Sequence, residues 1–521
     1  MSDPIADINP AAAVRRNALV RPDHLALRYE GGDLTYAALE DRAARLASVL
    51  AADGVGEGDR VAYLGLNSSS FLVVLLAAAR IGAIFVPMNF RLTGLESRYV
   101  LARSEAVALV CEEGLRDVAD TARAGSPVRL LLLVDDDAAD PVVGAPGDWA
   151  PWSAVLAQAA PLPSAVRRGF DDPAILMFTS GTTGLPKGVL LTHGNLWWNQ
   201  VNVETVVDAR VGDVTHAAAP LFHIGALNSF VLRALVRGGT VVLRRSFDAE
   251  GTLDDFVRYG VNTTFLVPAM LATLSRVPGL ASADLSALRS VIVAGAPVPP
   301  SLIEGYARHG VLLQQAWGLT ETSPFATHLP AELTRAKLGS AGLPMPHTEV
   351  RVVDSATGRP VPAGVAGEVV VRGPNVTPGY WRNEEATRAA FDAEGWFHSG
   401  DVGHFDADGF LYIVDRLKDL IITGGENVYP AEVERVLSDI PGVVDVAVVG
   451  TPDEKWGEKV VAVVTLEPGA SLTYEAVRDH ADGRLARYKL PKELKIVSSV
   501  PRNASGKLDK LEIRQLAGKE D

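Results

Sequence analysis

Short apolar runs alternate with longer helix-like segments through about the first 300 residues of this chain. Examples of these runs are VAYLGLN, IFVPMN, ALVCE, AILMFTS, TVVLRR and SVIVAGAP. Strands that alternate with helices pair in parallel, so the pattern predicts α/β structure with largely parallel sheets. At 521 residues the chain exceeds one ordinary core, and we expect at least two domains.

The character of the sequence changes near residue 346. The β-runs EVRVVD, GEVVVRG and FLYIVD, separated by Gly, Pro and Asp, predict a small β subdomain. After DRLKDL follow a helix (PAEVERVLSDI), the strands VDVAVVG and VVAVVTL, a second helix and KIVSSV. We therefore predict a large α/β N-terminal domain over residues 1–416, with two parallel-type α/β sheet subdomains plus the β subdomain, and a small α+β C-terminal domain over residues 417–521.

Charge and cysteine content exclude several classes of protein. Sixty-three acidic and 49 basic residues give a net charge of −14, which argues against nucleic acid as a partner. The single cysteine, Cys111, excludes a disulfide framework and fits a reducing cytoplasm. The N-terminus lacks the features of a signal peptide, and Arg80 interrupts the longest apolar stretch, residues 71–88. We expect no transmembrane segment, and we interpret this stretch as a buried helix that runs into a buried strand.

The stretch FTSGTTGLPKG, residues 178–188, is typical of a loop that binds phosphate. Its glycines let backbone amides approach an anion, its hydroxyls add donors, and Lys187 adds charge. It is not the triphosphatase loop, which ends in Gly-Lys-Ser/Thr, because Pro186 precedes Lys187. The alternative, a flexible Ser/Gly linker, is disfavoured because two apolar strands flank the loop. The helix after it is expected to begin at THGN, with Thr192 and Asn195 as caps.

Two further stretches point to a nucleotide. In QQAWGLTET, Trp317 is suited to stack on a purine and Glu321 to hold Mg²⁺ against phosphate oxygens. In HSGDVG, Asp401 is suited to accept hydrogen bonds from ribose hydroxyls. Either stretch alone would be an ordinary turn.

Together these stretches resemble one family closely. TSGTTGLPKG, PLFHIGALN, VIVAGAP, QQAWGLTET, GEVVVRGPNVTPGYW, WFHSGDVG, DRLKDLIITGGENVYPAEVE and PRNASGKLDK are similar, in sequence and in order, to motifs of the AMP-forming adenylating superfamily. That superfamily contains acyl-CoA synthetases, firefly-type luciferases and adenylation domains of nonribosomal peptide synthetases. The resemblance runs from about residue 34 to Lys507.

The resemblance implies a two-step reaction. A carboxylate attacks the α-phosphorus of ATP to give acyl-AMP and pyrophosphate, and a thiol, usually that of coenzyme A, then displaces AMP. Thr179 and Glu321 would place Mg²⁺, Thr320 would contact the α-phosphate, and Asp401 with Arg416 would bind the ribose. The other residues implied in ATP or AMP binding are Ser180, Gly181, Thr182, Thr183, Gly184, Lys187, Gly295, Ala296, Pro297, Gln315, Ala316, Trp317, Gly318 and Leu319.

The resemblance also assigns roles to the C-terminal domain and to the acid. Lys507 would be the adenylation catalyst, whereas most lysines near a C-terminus are merely solvated. Lys418 matches a hinge about which the small domain rotates between half-reactions. The residues implied in the CoA channel are Gly424, Gly425 and Glu426, and those implied in the acyl pocket are His223, Ile224, Leu227, Ala294, Gly295, Gly318 and Phe325.

The apolar acyl segments favour a medium- or long-chain fatty acid or an aryl acid over acetate or malonate. Phe222-His223 stands where amino-acid-activating relatives carry an aspartate, which disfavours α-amino acids. The leading hypothesis is an acyl-CoA ligase that uses ATP, Mg²⁺ and coenzyme A. The alternatives are an enzyme that loads a phosphopantetheinyl carrier protein, a luciferase, and a non-catalytic sensor, the last disfavoured because Lys507, Glu321, Asp401 and Arg416 are all present.

Overall fold

A computed structural model describes most of the chain. The residues described are 7–142, 147–179, 185–296, 298–423, 426–453, 456–482, 484–503 and 506–518, with the backbone alone at positions 418 and 427. The chain divides into two compact units. The first comprises Met1–Val350 and Val371–Phe397, and the second comprises Arg351–Val370 and His398–Asp521.

Helices and strands are numbered here in chain order. The helices are α1 (Pro10–Val20), α2 (Tyr36–Ala52), α3 (Ser69–Ile81), α4 (Gly94–Ser104), α5 (Arg116–Arg123), α6 (Trp152–Gln158), α7 (His193–Val206), α8 (Ile224–Ala226), α9 (Leu232–Arg237), α10 (Ala249–Arg258), α11 (Pro268–Leu274), α12 (Pro300–Arg308), α13 (Glu384–Ala390), α14 (Pro430–Leu437), α15 (Tyr474–Ala481) and α16 (Lys510–Ala517). The strands are β1 (Leu25–Tyr29), β2 (Leu34–Thr35), β3 (Arg60–Leu64), β4 (Ile84–Pro87), β5 (Ala108–Glu112), β6 (Leu130–Val134), β7 (Ala150–Pro151), β8 (Pro173–Thr179), β9 (Lys187–Thr192), β10 (Val214–Ala217), β11 (Thr240–Leu243), β12 (Thr263–Leu266), β13 (Ser290–Val293), β14 (Leu313–Gly318), β15 (Phe325–Leu329), β16 (Leu343–Pro344), β17 (Glu349–Val353), β18 (Gly367–Arg372), β19 (Gly379–Tyr380), β20 (Phe397–Phe405), β21 (Leu411–Arg416), β22 (Ile421–Thr423), β23 (Glu426–Val428), β24 (Val443–Asp453), β25 (Gly457–Leu466) and β26 (Glu493–Ile496).

Two large sheets build the first unit. One has the strand order β16-β15-β14-β13-β12-β10-β11-β1-β2, and the other has the order β19-β9-β8-β4-β3-β5-β6-β7. The strands from β14 to β1 and from β8 to β7 run parallel. Antiparallel strands close the edges at β15, β16 and β2 in the first sheet and at β9 and β19 in the second. The two predicted α/β sheet subdomains are confirmed, with these antiparallel edges as an addition.

The longest apolar stretch of the sequence forms helix α3 and strand β4, as predicted. All 13 residues of α3 are buried, because the helix packs in a core that draws on both large sheets. Arg80 is buried there too, and Glu40 accepts from its guanidinium at 2.9 Å. Within the described ranges, no helix combines the length and the apolar composition needed to cross a membrane.

Two smaller sheets follow. The order β17-β18-β20-β21 forms the predicted β subdomain, whose strands lie mostly in the second unit. The C-terminal sheet has the order β23-β22-β25-β24, with β26 parallel to β25, and α14 and α16 pack on β24. The fold class is therefore confirmed: a large α/β part and a smaller α+β part. The boundary between residues 416 and 417, and the hinge at Lys418, stay predictions.

Candidate active site

The predicted phosphate loop connects two antiparallel strands. Thr179 at the end of β8 lies opposite Lys187 at the start of β9. After β9, the side chain of Thr192 accepts from the amide of Asn195 at 3.0 Å and caps helix α7, as predicted. The central residues of the loop lie outside the described part of the chain: Ser180, Gly181, Thr182, Thr183 and Gly184.

Tyr380 brings two predicted site residues together. Its two-residue strand β19 pairs with β9, so that Tyr380 lies opposite Val189. The ammonium of Lys187 lies 5.1 Å from the centroid of the Tyr380 ring, within the range of a cation–π contact. On its other side, the Tyr380 hydroxyl donates to Oε1 of Glu321 at 2.9 Å. Lys187 and Glu321, 134 residues apart in sequence, therefore contact one tyrosine.

Glu321 is buried in a short turn of 3₁₀-helix, Thr320–Thr322. Its backbone carbonyl accepts from the amide of Thr377 at 2.8 Å. The segment that carries Tyr380 therefore contacts both the backbone and the carboxylate of Glu321. Burial and the neighbouring carboxylate raise the pKa of Tyr380 well above its usual value. The phenol therefore stays protonated and remains a donor at neutral pH.

Three buried asparagines fix the turn that follows Glu321. Asn375 donates to the carbonyls of Thr322 at 2.8 Å and of Phe325 at 2.9 Å. Asn228 donates to the carbonyl of Ser323 at 2.7 Å, and Asn199 accepts from the amide of Phe325 at 3.2 Å. All three are fully buried, so each amide replaces water at backbone groups that would otherwise be unsatisfied. Sequence reasoning missed this network, because neutral amides carry no charge pattern that would single them out.

The residues predicted to flank adenine lie on two neighbouring strands. Val293 of β13 pairs with Gln315 of the parallel strand β14, so Ala294 and Gly295 follow one strand where Trp317 and Gly318 end the other. Gln315 is buried, and its Nε2 has no hydrogen-bond partner among the described residues. A buried donor of this kind fits a ring nitrogen of a bound base. Pro297, also predicted here, lies outside the described residues.

Gly318 has no room for a side chain. An added Cβ would lie 1.9 Å from the carbonyl oxygen of Pro324, far inside van der Waals contact. The backbone of the turn thus approaches β14 as closely as a glycine permits. This close approach fixes the position at which the chain leaves β14 and enters the segment Leu319–Glu321.

The predicted acyl segment includes helix α8 and the residues on either side of it. His223 is the residue before this short helix, and its ring centroid lies 4.3 Å from that of Phe222. Ile224 and Leu227 are buried, and a π-helical turn, Leu227–Val231, follows. Such turns often occur at functional sites.

An apolar cluster fills the interior beside this segment. Phe230, Phe325 and Met345 are each 1% exposed and belong to one cluster with Ala294 and Ala316. Phe265 packs against the cluster, its ring centroid 6.4 Å from that of Phe325. An added Cβ on Gly225 would lie 3.0 Å from the Phe265 ring, so this ring is also in contact with the acyl segment. Three phenylalanine rings therefore lie in the interior beside the predicted acyl segment.

The second unit carries the remaining predicted residues. Asp401 and Arg416 face each other on β20 and β21, and Nε of Arg416 lies 2.8 Å from Oδ1 of Asp401. Lys507 is exposed, and its backbone amide donates to Oδ1 of Asn503 at 3.1 Å. Glu426 begins β23. Gly424, Gly425 and the side chain of Lys418 lie outside the described residues.

The donor chemistry of the first unit fits a hard divalent cation. Glu321 offers a buried carboxylate and Thr179 a hydroxyl, and oxygen is the ligand that Mg²⁺ prefers. Among the residues described, no cluster of three or more His, Cys, Asp or Glu side chains is arranged to hold a metal. Two oxygen donors of this kind suit an ion that a nucleotide's phosphates would also coordinate, as Mg²⁺ commonly is.

Comparison with known proteins identifies the family. The model of the AMP-binding enzyme family matches residues 14–381, and that of the AMP-binding enzyme C-terminal domain matches residues 432–507. The first match alone covers well over half of the chain. The chain belongs to the AMP-binding enzyme family, which confirms the predicted resemblance.

Several relatives match this chain along nearly its whole length. Feruloyl-CoA synthase of Amycolatopsis sp is 43% identical over 96% of this chain and 98% of the relative. Indoleacetate–CoA ligase of Aromatoleum aromaticum is 41% identical over 97% and 98%, and a long-chain-fatty-acid–CoA ligase of Mycobacterium tuberculosis is 38% identical over 92% and 93%. The solved structure of o-succinylbenzoate CoA synthetase from Bacillus subtilis, in complex with ATP and magnesium ion, has a TM-score of 0.85 at 31% identity and covers 98% and 99%.

These findings place the protein more narrowly within the family. It is an AMP-forming acyl-CoA synthetase, that is, an acid–CoA ligase with ATP and coenzyme A as co-substrates. The predicted class of enzyme is confirmed.

Proposed function

We propose that this ligase activates an aryl carboxylic acid with a short side chain, and that long-chain fatty acids are poor substrates. The filled interior behind the acyl segment is the observation that carries the proposal. A long alkyl chain needs a continuous apolar channel, whereas an aromatic ring needs a short, wide slot lined by apolar side chains. Phe230, Phe265 and Phe325 pack in the interior beside the acyl segment, and we take these rings to favour the short slot over the long channel. The relatives named for feruloyl and indoleacetate activity support the same choice.

In the first half-reaction, a carboxylate oxygen of the acid forms a bond to the α-phosphorus, and the bond to the bridging oxygen breaks to release pyrophosphate. We propose that Lys187 and the 179–188 loop hold the β- and γ-phosphates. Thr320 would donate to the α-phosphate, and Lys507 would stabilise the charge that develops there. Such contacts accelerate the step because they are stronger in the transition state than with bound ATP.

Glu321 and Thr179 are the residues proposed to hold Mg²⁺, which when bound would neutralise charge on the phosphate oxygens. For the rest of the nucleotide, Gln315 and Trp317 are proposed to contact adenine, opposite Gly295 and Ala296. Asp401 and Arg416 are proposed to bind the ribose hydroxyls. An arginine–carboxylate pair fixes the acceptor oxygens that such hydroxyls require.

In the second half-reaction, the thiol sulfur of coenzyme A forms a bond to the acyl carbon, the bond to the AMP oxygen breaks, and the thiol proton is released. We propose that the small domain turns about Lys418 between the two steps and that the segment from Gly424 to Glu426 lines the pantetheine channel. A hinge needs only to absorb a change in backbone angles, so substitution at Lys418 should slow thioester formation more than adenylate formation.

A panel of carboxylic acids tests which class of acid the enzyme activates. AMP release is measured with coenzyme A and acids from acetate to octadecanoate, beside benzoate, cinnamate, ferulate and indoleacetate. We expect the highest kcat/KM for an aryl acid, and a higher value for octadecanoate would overturn the proposal. The panel is repeated with a phosphopantetheinyl carrier protein in place of coenzyme A, since acylation of the carrier alone would identify the enzyme as a loading enzyme.

A further inference from the structure

Tyr380 contacts both residues that are proposed to act on the phosphates and their cation. Its hydroxyl donates to Glu321, and its ring faces the ammonium of Lys187. The tyrosine itself is held firmly: β19 pairs with β9, and the Tyr380 amide donates to the hydroxyl of Thr387 at 2.9 Å. An added Cβ on Gly379 would lie 2.5 Å from the Thr387 methyl group, so this strand and helix α13 are in close contact.

The contact to Glu321 is of a kind that orients a carboxylate. A neutral donor that meets a carboxylate forms a charge-assisted hydrogen bond, which is stronger than a bond between neutral groups. Glu321 lies in a turn whose backbone is itself fixed by Thr377 and by Asn375. Removing the phenol hydroxyl would therefore remove this hydrogen bond from the carboxylate and leave the backbone contacts of the turn in place.

The contact to Lys187 is made by the face of the same ring. Lysine is flexible, and an ammonium that packs over an aromatic face loses part of that freedom before any ligand binds. The side chain of Tyr380 thus limits the positions of two groups, the carboxylate of Glu321 and the ammonium of Lys187.

We propose that Tyr380 is a positioning residue for the metal and phosphate part of the site: its hydroxyl orients Glu321 toward Mg²⁺, and its ring places Lys187 toward the phosphates. The inference rests on the proposed function of Glu321 and Lys187. Tyr380 forms no bond to substrate in this scheme and acts only through these two neighbours.

The test is the binding of ATP without acid, so that no turnover occurs, measured by titration calorimetry over a series of Mg²⁺ concentrations. For Tyr380→Phe we expect the Mg²⁺ concentration that gives half-maximal ATP affinity to rise about tenfold, and the affinity in EDTA to stay unchanged. Tyr380→Leu removes the ring as well, and we expect it to weaken ATP binding in EDTA by a further two- to fivefold, roughly the effect of a cation–π contact.

Tyr306→Phe is the matched control. Tyr306 is a buried tyrosine of the same unit whose hydroxyl donates to the carbonyl of Leu271 at 2.8 Å. The Tyr306→Phe variant should lose some thermal stability with no change in the Mg²⁺ requirement for ATP binding. Equal shifts in Tyr306→Phe and Tyr380→Phe would show a general effect on the fold and overturn the proposal, as would no shift in Tyr380→Phe.

A double-mutant cycle separates the proposal from its premise. In a Glu321→Gln background, Tyr380→Phe should cause no further change in Mg²⁺ dependence, whereas additive effects would overturn a role through Glu321. Thr387→Val, which loosens the Tyr380 backbone and keeps the phenol, should shift the Mg²⁺ requirement in the same direction by less. If the unaltered protein shows no acid-dependent exchange of pyrophosphate into ATP, the proposed function fails; if it does and Tyr380→Phe behaves as the unaltered protein, only this inference fails.

Discussion

Asp401 and Arg416 face each other across two antiparallel strands, with 2.8 Å between Oδ1 and Nε. Arg416 is 44% exposed, so solvent screens the pair and its contribution to stability is below about 1 kcal/mol. Under the proposed function this pair binds the ribose hydroxyls, so its loss should affect nucleotide binding more than folding.

For Asp401→Asn we accordingly expect little change in the melting temperature and a large loss of nucleotide binding. The KM for ATP should rise about 10- to 100-fold, the range for a hydrogen bond to a charged group. Thermal unfolding and initial rates at varied ATP check the two halves of this prediction. A large fall in melting temperature with an unchanged KM would assign the pair to folding instead.

Asn375 should be a stabilising residue of the site. Asn375→Ala removes the buried side-chain donor from the carbonyls of Thr322 and Phe325, and we expect the free energy of unfolding to fall by about 2–4 kcal/mol. Because the turn carries Glu321, the Mg²⁺ requirement for ATP binding should rise as well. Urea unfolding and calorimetry provide the two measurements.

Asn262→Ala is the control for this prediction. Asn262 also donates to two carbonyls, those of Gly260 and Ala287, at 3.1 and 3.2 Å. It should lose stability and keep the Mg²⁺ requirement. A rise in that requirement in both variants would count against a specific role for Asn375.

Phe325 should limit the length of the acid. Phe325→Leu removes ring atoms from the filled interior, and we expect kcat/KM for a medium- or long-chain acid relative to ferulate to rise about 5- to 10-fold, a change of the size that one or two methylene contacts produce. The measurement is the acid panel described above. Phe256→Leu, which alters a buried phenylalanine of a different cluster, should cost stability and leave the acid preference alone.

The pH dependence of stability should carry a signature of Asp415. Burial raises the pKa of this carboxyl from 3.8 to about 6, against the opposing effect of the amides of Ala431 and Arg416 and the charge of Lys510. Between these values the folded state holds a proton that the unfolded state has lost. The stabilisation is therefore complete below pH 4 and is lost as the pH rises to about 6.

Asp415→Asn keeps an acceptor for the amide of Ala431 and removes the titration. We expect the variant to be more stable than the unaltered protein at pH 7, by about 2 kcal/mol, and equally stable at pH 4. Unfolding of the second unit, followed from pH 4 to pH 8, measures both. Parallel stability curves for the two proteins would show that Asp415 does not titrate in this window.

Local patterns predicted much of the fold. The apolar run that becomes α3 and β4, the cap at Thr192, and the order of elements from α14 to β26 all follow from residues close in sequence. The run HAAAPLF, residues 216–222, is apolar enough to suggest a strand throughout, yet β10 ends at Ala217 and the chain then leaves the sheet toward the acyl segment.

The contacts between distant segments were not predictable. Tyr380 lies in a motif that the family resemblance contains, yet its position between Lys187 and Glu321 depends on β19 joining the edge of β9. The asparagines beneath the turn were missed for the same reason, since each contacts a backbone group far away in sequence. Patterns of spacing and charge describe neighbours along the chain, whereas these contacts arise only when two sheets and a turn have assembled.

The pairing of Thr179 with Lys187 also restricts how the loop between them can change over evolutionary time. Side chains alternate between the two faces of a strand, so inserting or deleting one residue and shifting the pairing by one position would turn Lys187 away from Tyr380. Substitutions within the seven intervening residues leave that alternation intact. We therefore expect relatives to keep the length of this loop as strictly as its glycines and hydroxyls, because the hairpin sets which face of β9 the lysine occupies.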